Sequence, residues 1–167
     1  SDFSGERGNI KIAAMSDQKT IITSFKNPDL DGVASAYAYA EYLGYHKKES
    51  CCKLFGAPHK EVAYVLATLG IEDLKQLEKG CTVTSVSSFV LTDASKTDTL
   101  DQSIDPRRII EVIDHRKVYD TAEFPNAHFQ IELVGACATL IAEKFYHENI
   151  MPSKEATFLL YSAIVSN

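Results

Sequence analysis

Three apolar, β-branched runs in this sequence break off into acids or histidine, with helical stretches between them. Thr20–Phe25 leads into Asp29 and Asp31, Leu91–Thr92 into Asp93, and Val112–Ile113 into Asp114, His115 and Arg116. Short runs of this composition make buried strands. Strands that alternate with helices fold as a parallel sheet. In such a sheet the carboxyl ends of the strands share one edge, which is where ligands bind. The expected fold class is α/β: a parallel sheet of about five strands with helices on both faces, its chemistry gathered along one edge.

The remaining segments fit that frame. Ser50 to Ala57, Thr84 to Thr92, Arg108 to Ile113 and Phe129 to Leu133 read as the later strands. Val33 to Leu43 reads as a helix with Gly44 as its glycine C-cap. Pro58 to Leu69 carries Val62, Val65, Leu66 and Leu69 at helical spacing and stops at Gly70. Asp73 to Glu78 makes a short helix; Ala136 to Glu148 and Ser153 to Val165 make two longer ones, the second with Ser153 as N-cap. Pro28 keeps Asn27 out of the helical region, so the first pair of acids falls on a turn. A purely structural reading of that turn makes Asp31 the helix cap and Asp29 a solvated turn residue. Residues 1–19 are polar and read as a flexible tail or the remnant of an upstream segment; residues 20–167 read as one domain.

The formal net charge of −6 argues against nonspecific binding to a nucleic-acid backbone, where a basic face is expected. An acidic protein that handles phosphate needs cations from elsewhere, and bound metal supplies them. The four cysteines, Cys51, Cys52, Cys81 and Cys137, show no C-x-x-C spacing and read as reduced thiols. Cys51 and Cys52, adjacent in a strand, point to opposite faces. With no bilayer-spanning run and no signal-peptide pattern, no membrane association is expected and the expected compartment is cytoplasmic.

Asp29, Asp31, Asp93, Asp114 and His115 would meet in one crevice. Unpaired acids so placed repel and raise one another's pKa; one or two divalent cations remove the conflict. Two ions about 3.5–4 Å apart share a bridging carboxylate and hold a hydroxide for attack on phosphorus. Carboxylates suit Mg2+ or Mn2+, and an imidazole tilts the choice toward Mn2+ or Co2+. Manganese is the first expectation.

The segments KNPDLDG (residues 26–32), LTDAS (91–95), EVIDHR (111–116) and ELVGACATL (132–140) occur in the order and spacing of the DHH phosphoesterase superfamily. From residue 20 onward the chain most resembles the amino-terminal domain of manganese-dependent (family II) inorganic pyrophosphatases. The resemblance implies two metal sites. Asp29 and Asp31 would ligate different ions, Asp93 would bridge them, and His115 would complete one set, with Asp114 orienting that histidine. It further implies that Gly135 lets backbone donors approach a phosphate oxygen. Three departures stand out. Phe25 occupies the position of a histidine ligand. Arg116 replaces the second histidine of the triplet, giving the Asp-His-Arg pattern similar to prune-like and exopolyphosphatase-related proteins. Asn167 matches a late metal-binding acid, and its amide oxygen still offers coordination.

The function so implied is hydrolysis of a phosphoanhydride, inorganic pyrophosphate or short polyphosphate, by metal-bound hydroxide. Asp93, His115 and Arg116 would be catalytic; Asp29, Asp31, Asp93, His115 and Asn167 would hold metal; Lys26, Asn27, Arg116 and Gly135 would bind substrate. Two alternatives stay open: a degenerate domain that binds metal or a phosphate-bearing ligand for regulation, and a (di)nucleotide phosphodiesterase. The expected partners are a small phosphate-bearing substrate, a second domain closing over it in a longer chain, and a second copy in a homodimer.

Overall fold

Alternating buried residues along short strands create two apolar faces, and both are used. The computed structural model describes residues 18–85 and 87–167. Its strands are β1 (Thr20–Thr23), β2 (Ser50–Cys52), β3 (Ser88–Thr92), β4 (Ile109–Asp114) and β5 (His128–Ile131), in the order β2-β1-β3-β4-β5. Every pairing is parallel. The helices are α1 (Leu30–Tyr45), α2 (Lys60–Thr68), α3 (Lys75–Glu78), α4 (Cys137–His147) and α5 (Lys154–Ser166). The chain runs from β1 outward to β2 and then returns to β3 on the other side of β1. That reversal makes the carboxyl ends of β1 and β3 a topological switch point, where a crevice opens.

Neighbouring residues in the strands serve opposite faces, as the two-residue period requires. Ile22, Val90 and Ile113 join the larger core, packed against Val33 of α1, Ile141 of α4 and Leu159 of α5. Ile21, Phe89, Leu91 and Val112 face the other way, against Leu100, Ile104 and Phe124 from the connecting segments. Those segments carry the short 3-10 turns Thr97–Thr99, Pro106–Arg108 and Thr121–Glu123.

Several boundaries differ from expectation for identifiable reasons. α1 begins at Leu30, three residues early, because Asp29 supplies its cap. It also runs through Gly44. Lys47 adopts the left-handed conformation (φ 56) that ends it, with Lys47 N–H donating to Gly44 O and Lys48 N–H to Leu43 O; this paired pattern is the Schellman motif. Gly70 closes α2 in the same way, its N–H donating to Ala67 O and that of Ile71 to Leu66 O. β2 is cut short because the backbone beyond Lys53 finds other partners: Leu54 N–H donates to Glu78 Oε1 and Phe55 O accepts from Asn27 N–H.

The reduced-thiol expectation fails for two of the four cysteines. Cys51 and Cys81 are joined as a disulfide, their Cα atoms 5.7 Å apart, while Cys52 and Cys137 are free and buried. The partner of Cys51 lies thirty residues downstream, so the pairing is a product of the fold that C-x-x-C spacing cannot signal. It also removes part of the ground for an intracellular assignment. Among the described residues no helix is long and apolar enough to cross a membrane. The tail expected over residues 1–19 lies, up to residue 17, outside the described residues.

Candidate metal centre

The first acid pair divides into two jobs. Asp29 is the N-cap of α1: its backbone is extended and its Oδ1 accepts from Gly32 N–H at 2.9 Å. Asp31 lies in the first turn and faces inward, 2 % exposed. Its two oxygens accept from Cys137 N–H and Ala138 N–H, each at 2.8 Å, and Ser35 Oγ donates to it at 3.3 Å. α4 has only Ala136 at its N-cap position, with no side-chain capping bond, so Asp31 caps α4 from another element, where the positive end of the helix favours an anion. This role was missed at the sequence level. The signal available was a helix that begins Gly135-Ala136-Cys137-Ala138 with no capping side chain of its own. Gly32 permits the arrangement, because a Cβ there would lie 2.5 Å from Ser24 Oγ and 3.3 Å from Pro28 Cβ.

Asp93 stands just past β3 with φ 58, a left-handed conformation, and its N–H donates to Ile113 O at 2.9 Å. The turn aims the side chain into the crevice. Oδ1 lies 3.1 Å from His115 Nε2 and 3.2 Å from Arg116 Nη1, while Oδ2 is buried with no partner. Burial pushes the Asp93 carboxyl up to about 8; His115 and Arg116 oppose the rise, and the charges of Asp31 and Asp29 add to it. His115, at the end of β4, receives a push in the same direction: its bond with Asp93 raises it to about 9, with burial opposing.

The geometry around His115 suits a metal ligand. Nδ1 lies 3.0 Å from Val134 O, and donation there leaves the Nε2 lone pair directed at the acids. Nε2 is 3.3 Å from Asp31 Oδ2 as well as near Asp93. Asp31, Asp93 and His115 each offer one ligand atom within 4.8 Å of the others. The orienting role expected of Asp114 is filled by the Val134 carbonyl. Asp114 Oδ1 instead accepts from the His115 backbone N–H at 2.8 Å and from Arg116 Nη1 at 2.7 Å, and its Oδ2 is also buried without a partner.

A three-donor cluster with an unpartnered, buried carboxylate oxygen fits one divalent cation of the kind that accepts carboxylate and imidazole together. The remaining expected site residues have other local partners. Asn167 caps α5, its Nδ2 donating to Ala163 O. Lys26 pairs with Asp101 at 3.3 Å. Asn27, also left-handed (φ 58), accepts Ala57 N–H on its Oδ1. Gly135 has open space where a Cβ would stand, and the N–H groups that follow it in α4 go to Asp31. A cleft of about 270 Å3 opens beside the cluster, lined by Phe25, Asp93, Ser95, Lys96, Thr99 and Arg116.

With this geometry in view, the chain can be set beside known proteins. Residues 19–164 match the DHH family, N-terminal domain. Among curated proteins, one from Shouchella clausii named as a probable manganese-dependent inorganic pyrophosphatase is 30 % identical over 149 residues, covering 89 % of this chain and 47 % of that one. A protein of the same name from Streptococcus suis is 26 % identical over 153 residues, with 89 % and 48 % covered. Among solved structures, a Methanococcus jannaschii protein assigned to the family II inorganic pyrophosphatases is similar at 27 % identity and TM-score 0.66, covering 88 % of this chain and 47 % of that one. An exopolyphosphatase-related protein from Bacteroides fragilis shares the fold at 14 % identity and TM-score 0.63, over 98 % of this chain and 50 % of its own. The chain spans about half the length of the curated relatives it matches.

Proposed function

Because the chain belongs to the DHH family through this N-terminal domain, we propose that it is the metal-holding part of a hydrolase that cleaves a phosphoanhydride, either inorganic pyrophosphate or a short polyphosphate. The observation that carries the reading is the convergence of Asp31, Asp93 and His115 at the carboxyl edge of the sheet, with Asp93 Oδ2 buried and unpartnered. Manganese is the expected ion. It suits two carboxylates and an imidazole, and the curated relatives are named for it. When bound, such an ion polarises a phosphoryl oxygen and activates water near neutral pH.

The chain's own residues prepare the site for that chemistry. Val134 O sets the tautomer of His115. Asp31, anchored on the α4 backbone, cannot swing away from the cluster. Arg116 and Lys96 line the cleft next to Asp93 and supply the positive charge that a phosphate group needs there. The greater length of the relatives supports a further domain in the full-length protein.

The test is metal-dependent phosphate release from pyrophosphate and tripolyphosphate by the full-length protein and its Asp93→Ala variant. Loss of even an outer partner of a metal site lowers affinity or activity about 10–100-fold, so removal of a ligand is expected to abolish more than ~99 % of the metal-stimulated rate. Undiminished activity in Asp93→Ala would overturn the reading. Phe25, which carries no donor atom, favours a second reading as a binding module for metal or phosphate. Tight manganese binding without turnover of either substrate would establish that one instead.

A further inference from the structure

Resting on the metal reading above, we infer that the centre takes a single divalent ion, and that the guanidinium of Arg116, seated over Phe25, occupies the place of a second cation. The resemblance in sequence implies two ions bridged by Asp93. The residues present do not fit two.

The first reason is the lack of donors. A second ion on the Asp93 side away from Asp31 would have Phe25 as its neighbour, and that ring offers no lone pair. Asp29 caps α1 through Oδ1 and, among the described residues, does not join the group of Asp31, Asp93 and His115 whose ligand atoms converge. The second reason is occupancy. Arg116 Nη1 donates to Asp93 O at 2.6 Å, to Asp93 Oδ1 at 3.2 Å and to Asp114 Oδ1 at 2.7 Å, and the guanidinium carbon sits 5.7 Å from the centre of the Phe25 ring. A cation stacked on an aromatic face and fixed by three oxygens is well held. Phe25 and Arg116 therefore act as a pair: the ring that cannot ligate metal is the platform for the charge that replaces it.

The third reason is charge balance. Asp31, Asp93 and Asp114 are the carboxylates buried here, at 2 %, 1 % and 0 % exposure. One divalent ion together with Arg116 matches their three negative charges, with His115 bound as the neutral imidazole. A second divalent ion would stand beside the guanidinium that Asp93 already holds, and like charges sharing one carboxylate repel.

The test is titration of the full-length protein with Mn2+, read by calorimetry and by the electron paramagnetic resonance spectrum at saturation. The expected result is one ion at this centre and the six-line spectrum of isolated Mn2+. An exchange-coupled pair in the wild-type protein would overturn the inference while leaving the hydrolase reading in place. Absence of any bound ion would overturn the metal reading itself. The double change Phe25→His with Arg116→Ala is expected to admit a second, coupled ion, whereas Arg116→Lys, which keeps the charge, stays at one. A double variant that folds, binds one ion and shows no coupling would refute the role given to this pair.

Discussion

Asp93 combines three unfavourable features in one residue: a left-handed backbone at a non-glycine position, near-complete burial and a carboxylate oxygen with no partner. Such strain persists where the surroundings hold a residue for a purpose, and an ion would relieve two of the three. Asp93→Asn separates function from stability. Asparagine tolerates the left-handed conformation and carries no buried charge, so the metal-free variant should melt higher than wild type at pH 9, where Asp93 is ionised. Each kcal/mol gained corresponds to roughly 2–4 °C for a domain of this size. Manganese should raise the melting temperature of wild type and leave the variant nearly unmoved; scanning calorimetry with and without the ion decides it. The grouping of Asp31, Asp93 and His115 was legible in the sequence because each lies just beyond an apolar strand run, and parallel pairing brings those ends together. The division of labour between Asp29 and Asp31 was not. The simple structural reading assigned the cap to Asp31, whereas Asp29 caps α1 and Asp31 caps α4, more than a hundred residues away. No local pattern in the 26–32 segment encodes that distant partner.

At the scale of elements, propensity and tertiary context disagree at Gly44. A glycine after an alanine-rich run reads as a helix stop, yet α1 continues past it and turns at Lys47. Tyr42 explains part of the extension: its ring packs on Phe145 of α4 and on His46, and its hydroxyl donates to Glu148. The last turn of α1 is thus held by the helix beside it. Because Gly44 is exposed, helical and has nothing within 4 Å of where a Cβ would stand, Gly44→Ala should stabilise the chain by about 0.5–1 kcal/mol. A destabilised variant in urea unfolding would mean that Gly44 needs a conformation only glycine adopts. The helices and the strand sequence were readable from periodicity and breakers. The short β2 and the late start of β3 were not, since apolar character continues while the backbone turns to other partners: Leu54 N–H to Glu78, and Thr84 N–H to Ser87 Oγ. The disulfide between Cys51 and Cys81 belongs with these misses, for it depends on where β2 and the segment after α3 come to lie.

Across the whole molecule, the candidate metal centre links stability to pH. Asp93 and His115 both bind protons more tightly in the fold than in the unfolded chain, at about 8 against 3.8 and about 9 against 6.5. A raised folded-state pKa means that protonation favours folding. The stability contributed is present in full below the unfolded value and is lost as pH rises through the folded one. The metal-free chain should therefore lose stability between pH 6 and pH 8.5 through these groups. An ion needs the same atoms deprotonated, so its affinity should climb over that window as protons are displaced. Bound ion adds stability by mass action, about 2.7 kcal/mol when its concentration is 100 times Kd, so saturating manganese should reverse the slope. Melting temperatures at pH 6, 7, 8 and 8.5, in chelator and in excess manganese, test both limbs at once. A metal-free curve that rises with pH would contradict the proton-rich cluster, and parallel curves would show that the ion binds somewhere other than Asp93 and His115. Curves that meet at low pH and diverge as pH rises would mean that the same buried atoms are held by protons in the empty domain and by metal in the loaded one.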